Sequence, residues 1–255
     1  MSINNVATKS NAFPLIANTW PEFLECVRQA RSELGNPALI WYRGMSRAEY
    51  KLVPSLLRVL NGRQKEQDLF NEYQRSAARL TTPRSNDWEL LFDMQHYHIP
   101  TRLLDWTDVL GVAIAFALYD TRDDEHDSSI HLLDPRQLNA RSGGRAEVLR
   151  PTNDQNFNYK SIYWHNSPVT AVYPIAIDGP LQNDRMVAQQ GAFTLHGSQT
   201  DFFETDGQDC LRKIIMKPGA KSGAREFLEY SNLNAYSIYP DIVGMARHIV
   251  RKHFG

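Results

Sequence analysis

Residues 95–119 read QHYHIPTRLLDWTDVLGVAIAFALY. The first part carries His96, His98, Arg102, Asp105 and Asp108, whereas the run from Val109 to Tyr119 carries no charge at all. An uncharged run containing Gly111, Ala113, Ala115 and Ala117 predicts a buried helix that packs closely on a neighbour, with Asp108 placed to cap it. Pro100 disfavours helical backbone at Ile99, so the polar half is expected to be a loop. A charge beside so apolar a helix must be paired or neutralised, because a lone one in low dielectric costs several kcal/mol. The stretch is therefore either a structural ion-pair knot or the floor of a site.

Upstream, Thr19-Trp20-Pro21-Glu22 forms a capping box, followed by Phe23, Val27, Ala30 and Leu34 at helical spacing before Gly35. ALIWYRG, residues 38–44, predicts a central strand ending at Gly44. Helices are expected over 64–80 and from an Asn86/Glu89 cap to about Met94. Downstream, SIHLLD (129–134), VYPIAI (172–177), AFTLHG (192–197) and LRKIIMK (211–217) predict short strands, with polar residues 139–168 as a long connection. Helices over 222–233 and 240–252 close the chain, the second entered through Pro240. Helices and strands intermix without a βαβ rhythm or a Gly-rich phosphate loop, so the expected class is α+β. A single domain is expected over 19–255 after an N-terminal extension, 1–18.

A chain of 255 residues with 42% hydrophobic and 22% charged content is long enough for one substantial core. The net charge of −1 supplies no general attraction to nucleic acid or anionic membrane. Cys26 and Cys210 stand alone, which argues against a disulfide framework and for a reducing cytoplasm. The start, MSINNVATKSNAF, lacks the basic and apolar regions of a signal peptide, and GVAIAFALY is too short to span a bilayer. A cytoplasmic location without a membrane partner is expected.

No G-x-S-x-G, H-E-x-x-H, Walker A or kinase signature occurs. The His96/His98 pair and DDEHD (123–127) offer metal-ligating side chains, but the acidic run reads more simply as a solvated loop and no metal is expected. In WYRG, Arg43 offers a planar fork for phosphate or carboxylate, and Gly44 lets a ligand or another backbone approach; the alternative is a structural pair of Arg43 with Asp105 or Asp93. Arg102 and Asp105 have the option of pairing with each other, with Trp106 as core; a division of labour, Arg102 structural and Asp105 facing a pocket beside His96, is preferred. In RMVAQQGAFTLHG, Arg185 precedes Gln189 and Gln190, amides that need partners if buried and often read a ligand's polar edge.

WYRG, the 95–119 stretch, RMVAQQGAFT and IYPDIVGMARHI together resemble the FRG domain family, over roughly residues 20–252. One departure is His98, where that family commonly has Gly. Many FRG members look like parts of prophage or antiphage defence loci, so the resemblance implies a toxin or defence effector. A more distant resemblance is to ADP-ribosyltransferases: an early aromatic-Arg-Gly strand, a Ser-Thr-Ser-like strand leading into a helix with A-x-x-F-A, and a Glu- or Gln-containing motif opening a later strand. It implies an ADP-ribosyltransferase-like mixed sheet with flanking helices, NAD as cofactor, and a protein or nucleic acid as acceptor. Arg43, Gly44, Trp106 and Thr107 then bind the dinucleotide, with Arg43 forked on the pyrophosphate. His96, Asp105 and Gln189 form the catalytic set, Asp105 standing in for the carboxylate that AQQG lacks. The rivals are a noncatalytic nucleotide-binding or protein-interaction module and an NAD glycohydrolase.

Overall fold

The computed structural model describes residues 14–80, 86–119, 125–151, 158–164, 172–179 and 184–254. Seven strands form one mixed sheet: β1 (Leu15–Ala17), β2 (Trp41–Met45), β3 (Leu103–Thr107), β4 (Ser128–Leu133), β5 (Ile175–Ile177), β6 (Gly191–Leu195) and β7 (Leu211–Met216). Their spatial order is β1-β7-β4-β2-β3-β6-β5, all neighbours antiparallel except β1 with β7. With helices distributed around it, the sheet places the chain in the α+β class. Leu15–Ala17, assigned above to an N-terminal extension, are the edge strand of this sheet. Among the described residues no helix is long and apolar enough to cross a membrane.

Alternation along each strand divides the core. One face carries Tyr42, Ile130, Leu132, Ile214 and Met216 under α1 (Trp20–Glu33), α5 (Leu110–Tyr119) and α10 (Pro218–Tyr230). The same face continues through Leu103, Phe193, Leu195 and Ile175 under α3 (Gly62–Ala77), α4 (Asp87–His96) and α7 (Tyr159–Tyr163). The other face carries Trp41, Met45, Leu104, Trp106, Leu133 and Ala192. β2 and β3 are joined by one paired position, Tyr42 opposite Thr107, while β3 pairs with β6 over five residues and β2 with β4 over five. The sheet is thus pinched open between the strand of Arg43 and the strand of Asp105.

Several local expectations change in detail. Thr19 is the N-cap of α1 as expected, accepting from the Glu22 N–H at 3.4 Å, but the reciprocal bond of the box goes from the Asn18 N–H to the Glu22 carboxylate at 2.8 Å. At the entry to α5 the Val109 N–H donates to Thr107 Oγ1 at 3.1 Å. Residues 139–168 are not one connection, since α6 (Pro135–Gly143) runs into that span and α7 lies within it. The stretch expected to begin as loop becomes strand β3 at Leu103.

Candidate functional site

A pocket lies where α4, β3, α8 (Asp184–Gln189) and the start of β6 meet; of the sequence candidates His96, Asp105, Trp106 and Gln189 line it and Arg43, Gly44 and Thr107 do not, the lining being completed by Gln95, Arg185 and apolar residues including Phe92 and Phe193. Its floor is set by β3, which buries Leu103, Leu104, Trp106 and Thr107 and leaves Asp105 exposed in the middle. Asp105 is 58% exposed at its side chain, and its Oδ2 accepts from Gln95 Nε2 at 2.9 Å. Thr101 Oγ1 donates to Gln95 Oε1 at 2.5 Å and accepts from the Leu103 N–H at 3.0 Å. That relay fixes which end of the Gln95 amide faces Asp105.

Arg43 approaches from below. The Arg43–His131 register puts its side chain on the sheet face opposite Asp105, but in the opening between β2 and β3 its Nη1 donates to the Asp105 carbonyl at 2.5 Å and stands 4.0 Å from Oδ2. Its Nε is buried and has no hydrogen-bond partner among the described residues. His96 is half-buried and held below its ordinary value by burial and then by the Arg185 cation, so it is neutral at pH 7. Gln189 Nε2 donates to the Ile238 carbonyl at 3.1 Å, and the Arg185 guanidinium lies 4.7 Å from the Tyr239 ring centre. α11 (Ala235–Ile238) with Tyr239 therefore straps α8 over the pocket. In this strapped arrangement the cavity is about 40 Å³, room for about one water.

Two proposed cofactor contacts have structural duties instead. A Cβ on Gly44 would overlap the Ala113 carbonyl oxygen, so Gly44 admits the α5 backbone and not a ligand. Thr107 is buried and donates from Oγ1 to the Gln189 carbonyl at 2.6 Å, which ties β3 to α8 from outside the pocket lining. Trp106 borders the pocket, but its indole N–H is spent on Thr194 Oγ1 at 2.9 Å.

The knot exists too, without Asp105. Arg102 forks onto Glu66, Nε to Oε1 at 2.7 Å and Nη2 to Oε2 at 2.7 Å, both side chains being 4% exposed. Tyr159 Oη donates to Glu66 Oε1 at 2.5 Å, and the Arg102 guanidinium lies 5.2 Å from the Tyr163 ring centre. Glu66 went unremarked in the sequence although it carries a signal: Gly62, Glu66 and Phe70 recur every four residues, so an acid interrupts the buried stripe of α3. No group of three or more His, Cys, Asp or Glu able to hold a metal occurs among the described residues; Asp123 and Asp124 of the acidic run lie outside them.

These features define an α+β protein with a polar pocket beside a split in its sheet. Residues 38–126 match the family model of the FRG domain, so the chain carries an FRG domain from the approach to β2 up to the start of the segment before β4. The α8–β6 and α11 segments that close the pocket come from outside that match. No curated protein and no solved structure shows a significant match to the chain.

Proposed function

We propose that this protein is an ADP-ribosyltransferase-like enzyme that uses NAD to modify a macromolecule, in a toxin or defence setting. The observation that carries the reading is that the three strands bearing the resembling motifs, β2, β3 and β6, are consecutive neighbours in the sheet. Arg43 has a buried Nε with no partner among the described residues, a donor suited to an anionic oxygen, and Asp105 supplies an exposed carboxylate at the pocket. NAD contributes a ribose–nicotinamide bond whose cleavage transfers ADP-ribose to an acceptor. Asp105 offsets the positive charge that develops at the ribose, neutral His96 is free to accept the acceptor's proton, and Gln95 holds the Asp105 carboxylate in place. A dinucleotide does not fit a 40 Å³ cavity, so binding requires the Gln189–Ile238 and Arg185–Tyr239 contacts to part.

A second reading has its own support: the closed pocket, with Gln95, Asp105 and Gln189 already hydrogen-bonded within the protein, suits a noncatalytic interaction module. Incubation with NAD labelled on the adenylate side, with and without nucleic acid and cell extract, separates the two. Label on a macromolecule together with free nicotinamide is expected. Free nicotinamide without transfer identifies a glycohydrolase, and intact NAD throughout overturns the enzyme reading.

A further inference from the structure

On the face of the sheet opposite Asp105, three basic side chains stand in a row across neighbouring strands. Arg43 on β2 is paired in register with His131 on β4, and His131 with Lys213 on β7. The two cations of the row, Arg43 and Lys213, flank His131 from either side. His131 is 3% exposed and, among the described residues, its Nδ1 has no hydrogen-bond partner, an uncommon state for a buried polar atom. Burial, then the Lys213 and Arg43 cations, press it down to about 3, which leaves it neutral at pH 7. Lys213 donates one N–H to the Ala48 carbonyl at 2.5 Å, and no carboxylate among the described residues pairs with it.

His131 and Lys213 lie at the wall of a cleft of about 390 Å³, within the size range of small-molecule sites. Tyr50, Leu52, Phe203 and Leu211 give the cleft an apolar and aromatic lining. Among its other charges, Lys51 pairs with Glu204 at 2.9 Å, and Arg212 pairs at 2.8 Å with Glu33, which lies outside the lining. Glu49 is the remaining carboxylate of the lining. We propose that this cleft is a second ligand site, for a small aromatic molecule bearing a phosphate or carboxylate that Lys213 and His131 receive while the ring lies against Tyr50 and Phe203. A charge-assisted bond to Lys213 supplies the anion that no carboxylate among the described residues provides, and a small rotation of the His131 ring at the cleft wall turns its buried Nδ1 onto the same group. The site stands whether or not the Asp105 pocket takes NAD.

Calorimetric titration with phenyl phosphate and with benzoate, using benzyl alcohol as the uncharged control, tests it. At least one acid is expected to bind about tenfold or more tightly than the alcohol, and Lys213→Met to weaken that acid by about tenfold or more, the scale of a hydrogen bond to a charged group. The tighter acid identifies phosphate or carboxylate as the recognised group. Imidazole-nitrogen NMR on the unmodified protein supplies a readout independent of any variant's folding, with the His131 signal expected to shift on adding the tighter acid. Binding of neither acid, equal binding of benzyl alcohol, or an unmoved His131 signal overturns the proposal, as does unchanged affinity in a folded Lys213→Met.

Discussion

His98 shows how one residue records a backbone requirement. It follows α4 with φ of 63°, the left-handed conformation, while the His98 N–H bonds to the Gln95 carbonyl and the Ile99 N–H to that of Met94. This is a Schellman stop, whose left-handed position favours glycine, and it accounts for the Gly that the FRG pattern commonly has there. His98→Gly is expected to raise stability by about 1 kcal/mol by relieving the left-handed penalty, net of added chain entropy; a melting temperature at or below wild type counts against that. Arg102 and Asp105, three residues apart, are expected to respond in opposite ways. Arg102→Met strands the Glu66 carboxylate in the core and should cost about 3 to 5 kcal/mol, whereas Asp105→Asn, at an exposed group, should cost less than about 1 kcal/mol. Urea unfolding of both variants checks this, and equal losses would place Asp105 in the knot.

At the scale of elements, α5 lies against the backbone of β2 at Gly44. Gly44→Ala would drive a methyl into the Ala113 carbonyl 1.8 Å away, backbone against backbone, with no flexible side chain to yield. It is expected to destabilise by about 3 kcal/mol or more, with activity lost through unfolding; a variant with wild-type melting but impaired ligand binding would return Gly44 to a binding role. Elements with strong local signals were legible: the Asn86 cap of α4, which accepts from the Glu89 N–H at 3.0 Å, and the apolar run of β2. β3, a five-residue segment with Asp at its centre after Thr-Arg, has no local strand pattern, and only the resemblance to ADP-ribosyltransferases implies a strand there. It is a strand because β6 supplies five paired positions. The candidate site was legible to the same extent. His96, Asp105, Trp106 and Gln189 share a pocket named from motif order, while Gln95, Arg185 and the Ile238 strap became visible only when distant segments met.

Across the whole molecule, buried basic groups tie stability to pH. His131 and His196 are both held down to about 3 by burial, with Arg43 adding to each, so the unfolded chain binds their protons first as pH falls below 6.5. Because the folded values are depressed, their contribution is present above the unfolded value and is lost as pH falls from 6.5 toward 3, at up to about 1.4 kcal/mol per pH unit for each histidine. His131→Phe is expected to flatten the acid limb of an unfolding free-energy profile by about one such slope; a parallel profile would mean that His131 is not held neutral. The same whole-molecule view joins the two faces of the sheet, since Arg43 belongs to the basic row yet reaches Asp105 through the opening between β2 and β3. The central claim is that this opening serves NAD chemistry at Asp105, and the most direct measurement is nicotinamide release from NAD by wild type and Asp105→Asn at matched melting temperature. Release by the wild type and its loss, about a hundredfold or more, in a fully folded Asp105→Asn is the expected result for removal of a transition-state charge partner; equal release by both, or none by the wild type in the presence of cell extract and nucleic acid, would contradict the account.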